Sequence, residues 1–83
     1  MTRDVMLMTA MTEAMASAAA EAAKAPTQLV SLAVDMLDQQ ADAAAPRVEI
    51  VRATRNLVFL SGEAIAADGR RAMAATAVHR IVR

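Results

Sequence analysis

Glu13 is the side chain in this sequence best suited to chemistry. Partial burial raises a carboxylate's pKa, and such a group can act as a general base. Its plainer role is a solvated rung of a helix, in line with Ser17 and Glu21. Thr12 stands beside it with a hydroxyl but no base of its own, and no histidine lies nearby to activate it. Packing on an apolar helix face is its ordinary role. Arg52, Arg55, Arg70 and Arg71 fall at or near the ends of strand-like runs. A planar guanidinium matches phosphate with paired hydrogen bonds, whereas solubilising charge on a turn is the ordinary alternative. His79 is the only histidine and there is no cysteine, so a metal site lacks its usual nitrogen and sulfur donors. The expectation for His79 is a surface or strand-edge position. Asp35 is expected to point outward from a strand.

These residues need elements to hold them. Residues 4–25 are rich in Ala, Met and Glu, all strong helix formers, and Pro26 cannot continue a helix. Thr2 can cap the start, and Asp4 suits the positive end of the helix dipole. Val5, Met8, Met11, Thr12, Met15 and Ala19 follow helical spacing and predict the apolar face. Residues 27–37 alternate Val30, Leu32, Val34 and Met36 with small or polar residues, the period of a half-buried strand. Residues 38–46 read as a polar, Ala-rich loop, with a short helical turn as an alternative over 39–45. Residues 47–54 and 57–66 predict two more strands around a reversal at Arg55-Asn56. Gly62 marks either a bulge or a close backbone approach. Asp68-Gly69 is the best hairpin signal in the chain, and residues 71–82 form the last strand. A helix over 70–79 is the alternative there. Ala is a poor strand former, so Ala72, Ala74, Ala75 and Ala77 make sense under a bulky Met-bearing helix. The fold class is therefore α+β: one long N-terminal helix packed on a four-stranded antiparallel sheet, in a single domain over 1–83.

With 83 residues and one aromatic, Phe59, the core must be built from aliphatic and Met side chains. A core that thin predicts a partner chain to complete it. The net charge is zero with both signs interspersed, and no basic tract or aromatic cluster points to nucleic acid. Glu13 and Glu21 would sit in lipid if the helix crossed a membrane. Arg3, a short apolar run and Ala16-Ser17-Ala18 have the outline of a signal peptide, but Asp4, Thr9, Thr12 and Glu13 interrupt it. The absence of cysteine fits a reducing cytoplasm.

The runs VSLAVDML at 30–37 and LVFLSGEAIAADGRRAMAATAVHRIV at 57–82, with RATRNL at 52–57 between them, resemble the hotdog-fold thioesterases, in particular the phenylacetate-type acyl-CoA thioesterase branch. The resemblance covers nearly the whole chain. It implies a sheet curled around the helix, and a homodimer or homotetramer joined through strand 27–37 with active sites at the dimer interface. It implies thioester hydrolysis, with acyl-CoA as substrate and no cofactor beyond the substrate's own coenzyme A moiety. TEAMA at 12–16 then matches the family's acid-bearing helix segment, which puts Thr12 at the acid position and makes Glu13 the general base. Arg52, Arg55 and Arg70 become the groups that hold the coenzyme A phosphates.

The departures from the pattern are specific. The family's strand before the helix is missing, so the domain reads as shortened at its start. The His-Gly-Gly-like loop whose amides polarise the thioester carbonyl is replaced by Arg3-Asp4. A carboxylate there repels an oxyanion. Two further readings follow: a catalytically inactive hotdog module for acyl-CoA binding or oligomeric assembly, and a small α+β oligomerisation domain without a ligand.

Overall fold

Thr2 starts the only helix among the described residues: its Oγ1 accepts the Val5 N–H at 3.3 Å. The structure is a computed structural model that describes residues 2–38, 41 and 45–83. Helix α1 spans Arg3–Ala23, and its partners are β1 (Thr27–Met36), β2 (Ala45–Ala53), β3 (Leu57–Ile65) and β4 (Arg71–Ile81). The helix stops two residues short of the expected 25. Lys24 turns into the left-handed region at φ 54° and its N–H caps Ala20 O. The residue before a proline avoids helical geometry, so the chain must leave the helix before Ala25.

All pairings are antiparallel, and the sheet order is β1-β4-β3-β2. Residues 71–79 are therefore extended, and no helix forms over 70–79. The Asp68-Gly69 hairpin forms, with Gly69 at φ 89°. Strand β2 starts at Ala45, two residues earlier than expected, and takes in Pro46. An edge strand tolerates proline when its nitrogen faces away from the neighbouring strand. The helical turn considered for 39–45 falls on residues outside those described, apart from Ala41 and Ala45.

One face of the sheet carries α1. The helix buries Leu7, Met11, Met15 and Ala19 against Val58, Leu60 and Ala64 of β3 and Met73, Ala75 and Ala77 of β4. Ala72, Ala75 and Ala77 of β4 are thus inside, as expected, whereas Ala74 is half-buried and lines the opposite face of the sheet beside Asp35 and Glu63. Gly62 is the point of closest approach: a Cβ there would stand 2.6 Å from Met11 Sδ and 3.0 Å from Met15 Cε.

Met11, Met15 and Ala19 of the expected helix face are buried, but the face differs from expectation at its N-terminal end. Val5 and Met8 are 45% and 40% exposed, Thr12 is half-buried, and Leu7 takes their place inside. Almost every side of this helix is apolar or alanine, so spacing alone selects its buried stripe poorly. In β1 a register shift between Leu29 and Ser31 throws Val30 outward. His79 also differs from expectation, being 2% exposed. It lies on the inner row of β4 with Ala77, opposite Val58.

Candidate functional site

Glu13 sits midway along α1 on the exposed side. It borders an open groove of about 400 Å³ with Val5, Met8, Thr9 and Thr12. Glu13 makes no hydrogen bond or ion pair with any described residue. Thr12 Oγ1 donates to Met8 O at 2.7 Å, a bond within the helix. The hydroxyl is thus tied to the backbone, and it donates its proton to no described side chain.

The arginines divide between the two ends of the sheet. Arg52 pairs in register with Phe59, and Arg55 occupies the β2–β3 turn. Arg70 lies in the β3–β4 turn, where it reaches Asp68 at 3.4 Å and Asp38 at 3.8 Å. Strand β3 separates the two turns by about 27 Å at the rise of an extended chain. Within one protomer, the three arginines do not converge on a single phosphate chain.

The ends also differ in how their charge is balanced. Arg3, Arg70 and Arg71, at the end holding the helix N-terminus, each have a carboxylate partner, namely Asp4, Asp68 with Asp38, and Glu63. At the opposite end, Arg52, Arg55, Arg80 and Arg83 have no carboxylate partner among the described residues. Arg80 donates to Gln28 Oε1, and Arg83 donates to the carbonyl of Arg55. Uncompensated guanidinium groups attract anions. Sequence reasoning missed Arg80 and Arg83. The signal for Arg80 was its place in the last strand opposite Leu57, visible only once the register is known.

No family model matches this chain, and no curated protein matches it either.

His79 is the remaining titratable group of note. Its Nδ1 lies 3.1 Å from Thr27 Oγ1, while Nε2 is buried without a hydrogen-bond partner among the described residues. Burial pushes its pKa down from the ordinary 6.5. It sits beside β1, in the core between sheet and helix, and makes no contact with Glu13 that would form a catalytic pair. No group of three or more metal-ligating side chains occurs among the described residues. No helix among them is long and apolar enough to cross a membrane.

The face of the sheet turned away from the helix carries a depression of about 420 Å³. It is lined in part by Asp35, Arg47, Glu49, Ser61, Glu63 and Thr76. Asp35 is exposed on this face, as expected. Its mixed charges have no arrangement that selects one ligand.

Proposed function

We propose that this chain is a thioesterase-like, acyl-CoA-handling hotdog module of the cytoplasm that works as a homodimer through the free edge of β1. The observation that supports the reading is the place of β1. The strand that follows the helix lies at the margin of the sheet beside the last strand, with no described strand beyond it. Its outer residues Leu29 and Val30 are 42% and 59% exposed. An exposed apolar edge is a template for pairing with another chain.

In this reading Glu13 activates water against the thioester, and a second protomer supplies the enclosure that one chain lacks. The phosphates of coenzyme A go to the Arg52–Arg55 end, since Arg70 is already held by two carboxylates. Release of free coenzyme A from a panel of acyl-CoA thioesters tests the hydrolysis. Turnover should be lost in Glu13→Ala, and unchanged turnover in that variant removes Glu13 as the base.

A second reading keeps the module and drops the hydrolysis. Two observations favour it: the Thr12 hydroxyl is bonded to Met8 O, and Asp4 lies in the first turn of the helix. A carboxylate at that point opposes an oxyanion. Coenzyme A binding by calorimetry without turnover selects this reading.

A further inference from the structure

The β2 edge holds a self-complementary sequence that no contact described above uses. Strand β2 pairs only with β3, so its other edge is free among the described residues. Pro46 fixes the phase of that edge. It has no N–H and stands opposite Ala64 in the ladder, so its backbone nitrogen faces away from β3. Backbone groups alternate along a strand with period two, so Val48 and Ile50 also turn their N–H and C=O outward. Side chains alternate as well. Pro46, Val48 and Ile50 share the helix side, while Arg47 and Glu49 share the far side.

We propose that this edge joins two copies of the chain in an antiparallel pair with its two-fold axis at Val48. The register follows from charge. A two-fold at Val48 sets Arg47 of each copy opposite Glu49 of the other. The same operation places Pro46 opposite Ile50 and Val48 opposite itself, so the inner row is apolar throughout. Moving the axis by one residue sets Arg47 against Arg47 or Glu49 against Glu49, which like-charge repulsion disfavours. In the Val48 register the two Val48 residues exchange two hydrogen bonds, and each Ile50 N–H donates to a Pro46 carbonyl. The missing proline N–H costs only the two reverse bonds.

Helix α1 lies over β2 as well as β3, with Met11 and Met15 coming down onto Gly62. The edge contact covers Ile50, which is 40% exposed in the single chain.

The test separates this contact from the β1 contact of the functional reading. Val30→Lys places a charge on the β1 edge and leaves β2 untouched. Sedimentation equilibrium of V30K should find a dimer. Adding E49R sets Arg47 against an arginine and should raise the dissociation constant about tenfold or more. Adding R47E to that variant restores opposite charges in reversed order and should restore the dimer. A monomeric V30K, a dimer indifferent to E49R, or a failure of R47E to rescue would each overturn the proposal.

Discussion

Met11 Sδ lies 2.6 Å from the point where a Cβ on Gly62 would stand. The thickness of the molecule is set at this point. A residue with no side chain in β3 lets two methionines of α1 come down onto the sheet, and the small residues of β4 continue that low surface alongside. Gly62→Ala forces the Met11 thioether aside and should destabilise the protein by about 1–3 kcal/mol, the usual cost of overpacking. In a Met11→Ala background the same change should cost clearly less, because only the 3.0 Å approach of Met15 Cε is left. Urea denaturation of the four-member cycle measures the coupling, and simple additivity would refute the contact.

Gly69 provides the contrast. Nothing lies within 4 Å of its would-be Cβ, yet its φ is +89°. Gly69→Ala should therefore destabilise through the backbone alone, by about 1 kcal/mol. That loss should be the same with or without Met11, as a thermal melt of both backgrounds would show.

His79 predicts an acid-sensitive fold. Burial lowers its folded-state pKa below the unfolded value of 6.5, so the unfolded chain binds the proton more readily. The stability contributed by neutral His79 is fully present above pH 6.5. It falls as the pH drops below that value and levels off once the pH is under the folded pKa. The slope in that window is about 1.4 kcal/mol per pH unit for one group. Urea midpoints between pH 8 and pH 4.5 measure it. His79→Leu should remove the slope between 6.5 and the folded pKa. It should be close to neutral at pH 7, since it also removes the unpartnered Nε2.

Thr12→Val separates the two polar residues of the helix flank. The Thr12 hydroxyl is bonded to Met8 O, so its loss should change stability by about 0.5 kcal/mol or less. It should leave coenzyme A release unchanged as well. A large drop in turnover with the fold intact, read by circular dichroism alongside the assay, would give Thr12 the catalytic role withheld from it here.

The layout was legible because its signals were local. Pro26, Asp68-Gly69 and the period-two runs mark where elements begin and end, and Ala72 through Ala77 imply a bulky neighbour. Three features were illegible for physical reasons. Met11, Met15 and Ala19 were read correctly, but the first turns of the buried stripe were not, because Ala and Met surround the helix there and Leu7 displaced Val5 and Met8. His79 looked like an edge residue because polar side chains are usually exposed, but the alternation with Met73, Ala75 and Ala77 carries it inward. The separation of Arg70 from Arg52 and Arg55 depends on which end of a strand each turn occupies, and that follows only from the ladder. The same ladder brings Arg80 and Arg83 to the Arg55 end.

The proposed function depends most directly on that end of the sheet accepting the phosphates of coenzyme A. Titration calorimetry of coenzyme A into the native chain and into Arg52→Ala/Arg55→Ala reads this without relying on catalysis. The account predicts saturable binding to the native chain, weakened about tenfold or more by the double substitution, since each lost charged hydrogen bond is worth about 1.5–3 kcal/mol. No binding to the native chain, or equal binding by both proteins, would contradict it.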